Sequence, residues 1–394
     1  GIPMRTMFSI TEKLYRKSAR PSIFCAVHTR FYRKRAKRFE RTGVFCYNTA
    51  MDRNEKFAAL PAPLLAWYDQ SKRDLPWREN TDPYRVWVSE IMLQQTRVVA
   101  ARDYYIRFLR ELPTVEALAA CPEEKLLKLW EGLGYYSRAK NMQRAAKEIA
   151  ARGGFPERAE ELRKLPGVGE YTAGAISSIA FGNPAPAVDG NVVRVLSRIM
   201  GDGEAQDILR KRYFAELAPI YPAGRCGDFT QSLMELGALL CLPASPRCLL
   251  CPVYALCATK SDALPAKRDK PARKETEMTV FLFRGDNGLW LGKRGSGVLA
   301  GMTEFYNREQ KMSATEAHTF LQGAGLQHFC LQRAGAHKHI FTHLVWHMTA
   351  YTVDTQQDLS SLSAFAELKF YTKKEAEESV SLPSAFRWCM QWIK

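Results

Sequence analysis

No apolar run in this sequence approaches the roughly 18–20 residues that a membrane-spanning helix needs, so no membrane is expected among its partners. No internal repeat or low-complexity tract stands out, which argues against a repeat array and for ordinary packed domains. No secretory signal opens the chain, and six of its ten cysteines (Cys25, Cys46, Cys121, Cys226, Cys330, Cys389) are scattered without a framework. A reducing compartment is expected, not a disulfide scaffold. Acidic residues are scarce at the start. Residues 1–50 hold twelve Lys or Arg against Glu12 and Glu40 alone, a net of +10 within a chain of net +16. A basic excess points toward an anionic polymer such as nucleic acid, but most of this one lies in the arm and says little about the rest. Three readings of the arm stay open: an Arg-rich organellar transit peptide, a disordered DNA-binding tail, or an extension without a role.

What the chain does have is a group of four cysteines, Cys241, Cys248, Cys251 and Cys257, spaced C-x6-C-x2-C-x5-C. The loop between them is short, carries Pro243, Pro246 and Pro252, and cannot form a packed core alone. Four thiolates on one loop can hold a [4Fe–4S] cluster with little loop-closure cost. Zinc is the rival, but its four-thiolate sites usually come as two C-x2-4-C pairs, and only Cys248 and Cys251 make one. Spacing favours iron–sulfur and leaves zinc open.

At 394 residues and 46% hydrophobic content, two or three domains are expected, each able to bury its own core. Residues 1–50 read as the basic arm and 51–260 as a helical domain, with helical-period segments such as Tyr84–Leu109 and Glu123–Trp130 separated by Gly and Pro turns. Residues 261–277 form a polar connector containing Lys267, Arg268, Lys270, Arg273 and Lys274. From 278 to 394 the period changes to a mixed α/β pattern. A strand over Met278–Arg284 turns at Asp286-Asn287-Gly288, a strand region covers His339–Val353, and short helices cover Thr315–Gln322 and Lys373–Glu378.

Four segments could carry chemistry. Leu165-Pro166-Gly167-Val168-Gly169 feeds the small-residue run Glu170-Tyr171-Thr172-Ala173. Its glycines permit positive φ, and the N–H groups at a helix start form an anion site, so it reads either as a phosphate grip or as a simple interhelical turn. Glu90 stands inside an apolar helical stretch, where burial would raise its pKa and suit it to general acid work; an exposed glutamate is the alternative. Asp189, before Gly190-Asn191-Val192, reads as a helix N-cap and equally as the ionised carboxylate that steadies positive charge at an anomeric carbon. Tyr135 and Tyr136 follow Gly132-Leu133-Gly134, either as core residues or as a wedge for a distorted base step.

Together these motifs resemble the helix–hairpin–helix DNA glycosylases that carry an iron–sulfur loop, and within them the adenine DNA glycosylases of the MutY type. Leu75-Pro76-Trp77-Arg78, Ser89-Glu90-Ile91-Met92-Leu93-Gln94-Gln95-Thr96, Gly132-Leu133-Gly134-Tyr135-Tyr136-Ser137-Arg138, the Leu165 turn, Val188-Asp189-Gly190-Asn191 and the four cysteines occur in the family's order, over residues 57–394. The resemblance implies a mainly α helix–hairpin–helix domain with a [4Fe–4S] loop, plus a C-terminal α/β Nudix-like domain. It implies a monomeric, monofunctional glycosylase acting on adenine opposite 8-oxoguanine or G in duplex DNA. Glu90 would protonate adenine N7, Asp189 would stabilise the deoxyribosyl cation, Tyr171 would support that carboxylate, and Asn191 would order the catalytic groups. Arg78 and Glu235 would hold the extruded adenine. Gln95 and Tyr135 or Tyr136 would enter the space beside the partner base, with Trp77, Leu93, Gly167 and Gly169 also on the DNA-binding side. The endonuclease III type, a glycosylase–lyase, has lysine where this chain has Tyr171 and Thr-His where it has Gly190-Asn191.

In the C-terminal part, Phe341-Thr342-His343 matches the family's Phe-Ser-His loop for 8-oxoguanine. The glutamate cluster Arg-Glu-x-x-Glu-Glu of Nudix hydrolases is missing, which disfavours pyrophosphate hydrolysis. Thr303 replaces the family's Trp, Thr342 its Ser, and Val193 a lysine of some relatives, so weaker or altered 8-oxoguanine contacts are expected. A non-catalytic binder of damaged DNA is the reading from another class; absence of Glu90 or Asp189 would have marked it. The short connector suggests a bacterial cytoplasmic enzyme, with a mitochondrion or nucleus as the alternatives.

Overall fold

The computed structural model describes residues 51–266 and 272–393, so the basic arm and its three readings lie outside the described residues, as do Lys267, Arg268 and Lys270 of the connector. Twelve helices follow one another here: α1 (Arg53–Ala58), α2 (Pro61–Ser71), α3 (Pro83–Leu93), α4 (Val98–Glu111), α5 (Val115–Ala120), α6 (Glu123–Leu129), α7 (Ser137–Ala151), α8 (Ala159–Leu162), α9 (Glu170–Phe181), α10 (Gly190–Met200), α11 (Gln206–Leu217) and α12 (Cys226–Leu239). Their ends follow local chemistry. Proline opens α2 and α3, the Asp82 carboxylate caps α3 by accepting from the Arg85 N–H at 2.9 Å, and left-handed Gly182 and Gly201 stop α9 and α10.

Two apolar cores divide these helices. One gathers Trp87, Ile91, Phe108, Trp130, Met142 and Ile149; the other gathers Leu64, Val192, Leu196, Phe229 and Leu233. Because α3 and α9 belong to the first core and α10 and α12 to the second, a cleft opens where the two meet.

The sequence reading needs correction at several joints. The helical stretch Tyr84–Leu109 is broken between Leu93 and Val98, where Gln95 takes a left-handed backbone with φ 57°. The strand region His339–Val353 is part of two strands, β5 (Cys330–Ile340) and β6 (Leu344–Asp354), turned at residues 341–343. The connector's last residues already belong to a strand, since β1 spans Lys274–Gly285 and pairs in parallel with β6 from Lys274↔Leu344.

The sheet is completed by β2 (Gly288–Lys293), β3 (Thr303–Glu304), β4 (Tyr306–Arg308) and β7 (Lys369–Thr372), with the order β3-β2-β1-β6-β5, β4 on β1 and β7 on β2. The asparagine-containing turn Asp286-Asn287 joins β1 to β2, as the sequence suggests. Apolar clusters lie on both faces, one around Met278, Trp346 and Phe386, the other around Phe281, Phe283 and Phe365 beneath α13 (Ala314–Gly323); α14 (Lys373–Glu378) follows β7.

Helical and sheet parts are joined by a packed seam. Met302, before β3, is buried in the first helical core. Lys128 Nζ donates to the Val380 carbonyl at 2.9 Å, Ser381 Oγ to the Leu127 carbonyl at 3.1 Å, and the Leu382 N–H to Glu131 Oε1 at 3.1 Å. Thr303 is buried at this seam beside Leu127, Met302 and Val380, and Val193 is buried in the second core. Neither side chain is on the surface, so any effect of these two replacements on 8-oxoguanine contacts would have to pass through packing. Among the described residues no helix is long and apolar enough to cross a membrane.

Candidate active site

A cavity of ≈ 950 Å³ fills the cleft between the two helical cores. That is near the top of the roughly 300–1,000 Å³ common for ligand sites, ample for an extruded nucleoside. Glu90 lines it from the end of α3, a helix buried continuously from Val86 to Met92. Burial is the main reason the Glu90 carboxyl is pushed from 4.5 to about 7; the hydrogen bond from Tyr171 opposes the shift and the charge of Asp189 adds to it. The hydroxyl of half-buried Tyr171, itself pushed well above its ordinary value by desolvation, remains a donor and reaches Glu90 Oε2 at 2.7 Å. This corrects the expected partnership of Tyr171 with Asp189: the hydroxyl serves the other carboxylate.

Tyr171 is placed by the turn before α9. Gly167 there has φ 75°, and a Cβ would come within 2.7 Å of Asn141 Cβ, so only glycine closes the turn without displacement. Gly167 and Gly169 border the cavity at the start of α9, whose first N–H groups lack intrahelical partners.

Asp189 is held from a different helix. Its Oδ1 accepts the Val192 N–H at 2.8 Å and caps α10, while Oδ2 accepts Asn191 Nδ2 at 2.8 Å. Asn191 Oδ1 in turn accepts from Arg194 Nη2 at 2.8 Å, and Arg194 also donates to the carbonyls of Gly237 and Cys241, both at 2.9 Å. A side chain at Gly237 would meet Asn191 Cβ at 2.7 Å, so α12 must be bare there for α10 to approach. These two contacts fix the orientation of Asp189.

Across the cavity, Glu235 is almost fully buried at 1% exposure and accepts four hydrogen bonds: Arg73 N–H at 2.9 Å, Arg73 Nε at 2.8 Å, Arg73 Nη2 at 2.7 Å and Arg78 Nη2 at 2.9 Å. Burial alone would raise its pKa, but these contacts together bring it down to about 2. Arg78 is further tied to Gln231 Oε1 at 2.9 Å. Arg73 and Gln231 were missed in the sequence. Gln231 lies four residues before Glu235 on α12, a same-face spacing that could have found it; Arg73 carries no such signal.

The wedge candidates separate. Gln95 and Tyr135 are exposed and left-handed, with φ 57° and 48°. Tyr136 is buried in the first core, so the choice left open between the tyrosines is corrected in favour of Tyr135. Trp77 is also largely buried, edge-on to Tyr105 at 5.5 Å, yet it and half-buried Leu93 border the cavity. The Tyr135 hydroxyl hydrogen-bonds Thr342 Oγ1, joining the helical part to the turn between β5 and β6. On that turn Thr342 and His343 are exposed, and Phe341 packs edge-on against Trp346 at 4.7 Å.

Cys241, Cys248, Cys251 and Cys257 line one pocket together with Val195, Ile199 and Leu236. Arg198 Nη1 points at Cys241 Sγ at 3.4 Å, and the Lys260 N–H at Cys257 Sγ at 3.4 Å. Soft sulfur donors with N–H groups directed at them suit a thiolate-bound centre. Among the described residues no three His, Cys, Asp or Glu side chains meet as the ligands of a single ion; the four cysteines line one pocket instead.

The helix–hairpin–helix superfamily of base excision DNA repair proteins matches residues 88–219, and the NUDIX domain family matches residues 278–392. An adenine DNA glycosylase of Rattus norvegicus is 34% identical over 82% of this chain and 76% of its own. That of Mus musculus is 36% identical over 76% and 71%, and that of Arabidopsis thaliana 38% over 71% and 55%.

Proposed function

The chain belongs to the adenine DNA glycosylases, enzymes of base excision repair, and from that membership we propose that it removes adenine mispaired with 8-oxoguanine, and more slowly with G, as a monofunctional hydrolase. The observation that carries the reading is the pair of carboxylates, Glu90 and Asp189, brought into one cavity from two different helices. Burial pushes Glu90 up to about 7, suited to an acid, while Asp189 is oriented by the Val192 N–H and Asn191 Nδ2.

In this mechanism the extruded adenine accepts a proton on N7 from Glu90. The C1′–N9 bond then breaks with its electron pair leaving on the base, and Asp189 stabilises the cation developing at the sugar. Water adds to C1′ and its proton passes to solvent or a carboxylate. Arg78 and Glu235 frame the base edge. No lysine stands at position 171 to form a Schiff base, which supports hydrolysis without strand cleavage. Thr342, joined to Tyr135, supports the Phe341–His343 turn as the reader of the opposite base.

The cysteines Cys241, Cys248, Cys251 and Cys257 would hold a [4Fe–4S] cluster, which when bound gathers the proline-rich loop after α12. Iron and acid-labile sulfide in equal amounts are expected in the purified protein; zinc in their place would overturn this assignment.

The activity is tested with duplexes containing one A:8-oxoG, A:G or A:T pair, each divided between neutral and hot alkaline treatment. Breaks only after alkali, fastest opposite 8-oxoguanine, are expected. Breaks without alkali would indicate lyase chemistry, and binding without any alkali-labile site would leave a damage binder.

A further inference from the structure

Arg138, the second residue of α7, has no part in the mechanism above, yet its guanidinium is surrounded by main-chain carbonyls from the C-terminal end of α3 and from the loop before α7. Nη1 donates to Ile91 at 2.7 Å, Met92 at 3.3 Å and Gln94 at 2.6 Å; Nη2 donates to Leu133 at 2.9 Å and Gly134 at 3.1 Å. The first three close the C-terminal end of α3, where carbonyls lack helical partners and a cation is favoured. The last two belong to the Gly132–Tyr135 loop. Its guanidinium also lies over Trp130 at 5.3 Å and Tyr135 at 5.6 Å.

The placement of these contacts matters more than their number. The last carbonyl held on one side is Gln94's, and the next residue is left-handed Gln95; the last held on the other is Gly134's, and the next is left-handed Tyr135. Bulky side chains at positive φ are strained and persist only where their surroundings over-determine them. Arg138 supplies that determination at both points from one planar fork, a geometry an ammonium cannot copy. No carboxylate is among the groups acting on it, and burial drives its pKa down to about 10. Its Nε is buried without a partner. A partly buried cation without a counter-ion is a poor choice for stability alone.

We infer that Arg138 is a positioning residue that locks Gln95 and Tyr135 as a pair, so that both wedges enter the duplex together and adenine extrusion is coupled to opposite-base inspection. The inference rests on the reading above that these two side chains enter the base stack. Arg138 acts on extrusion and not on bond cleavage.

The test uses the full chain and a duplex with 2-aminopurine beside the target adenine, whose fluorescence rises when the stack opens. At saturating protein, Arg138→Met is expected to lower that rise by about tenfold, and Arg138→Lys to restore it only in part. Affinity for undamaged duplex and the thermal midpoint serve as folding controls. If the Met variant does not fold, the Lys variant carries the test. A full fluorescence rise in folded Arg138 variants, with Gln95→Ala and Tyr135→Ala both deficient, overturns the inference. A full rise in those two alanine variants overturns the wedge reading beneath it.

Discussion

Glu90 and Glu235 line the same cavity, both are buried, and their neighbourhoods drive them in opposite directions, to about 7 and about 2. Around Glu90 the wall is an apolar helix face with one phenolic donor. Around Glu235 it is two guanidiniums and a main-chain N–H. Burial pushes both carboxyls upward; at Glu235 the donors outweigh it and at Glu90 they do not. The protein thus obtains an acid and a permanent anion from one residue type by varying only what faces it. Asp189 also meets two donors, both supplied by the helix it caps.

The comparison breaks most severely if the acid is removed. Glu90→Gln keeps the shape and hydrogen-bonding reach but has no proton of the right acidity to give. Single-turnover excision should fall by about 10²–10⁴-fold, while affinity for the mispair changes little. Undiminished excision would move the acid role elsewhere. Glu235→Gln breaks it from the other side, leaving Arg73 and Arg78 facing each other without their shared anion. A loss of about 3 kcal/mol is expected, read as a lower thermal midpoint in low salt and high salt alike because Glu235 is enclosed. An unchanged midpoint would mean that water substitutes for the carboxylate.

How much of this the sequence revealed depended on whether a side chain's role is set locally. Asp189 was legible as a cap because capping is decided within three residues, and the cap geometry also presents the carboxylate. The hairpin at Asp286-Asn287 and the helix Lys373–Glu378 were legible for the same reason. Glu90 was ambiguous, since residues 86–92 are all buried and helical periodicity offers no polar face to measure against. Tyr135 and Tyr136 could not be separated either; the left-handed backbone at Tyr135 turns one outward and leaves the other in the core. The burial of Thr303 and Val193 could not be read because their surroundings come from distant segments. Arg73 went unread and Arg138 was read only as part of its motif, since nothing in an arginine's own sequence neighbourhood tells which carboxylates or carbonyls the fold will bring to it.

The comparison can also be sharpened by one atom. Tyr171 donates to Glu90 Oε2 and so stabilises the carboxylate form, holding the pKa lower than burial alone would. Tyr171→Phe removes that donor, so Glu90 should rise further. For wild type the neutral acid is present below about 7 and lost above it, so excision should fall with an alkaline limb near that value. In the phenylalanine variant the limb should move to higher pH, with the rate on its plateau changed by less than about tenfold. Stability follows the same sign: a carboxyl whose folded pKa lies above its unfolded value stabilises fully below about 4.5 and loses that contribution as pH rises through about 7. In the variant the loss continues to higher pH, so between about pH 6 and about pH 8 its thermal midpoint should decline more than that of wild type. A limb shifted to lower pH would show that Tyr171 orders Glu90 through something other than its hydroxyl, and the contrast with Glu235 would then lie in packing and not in donors.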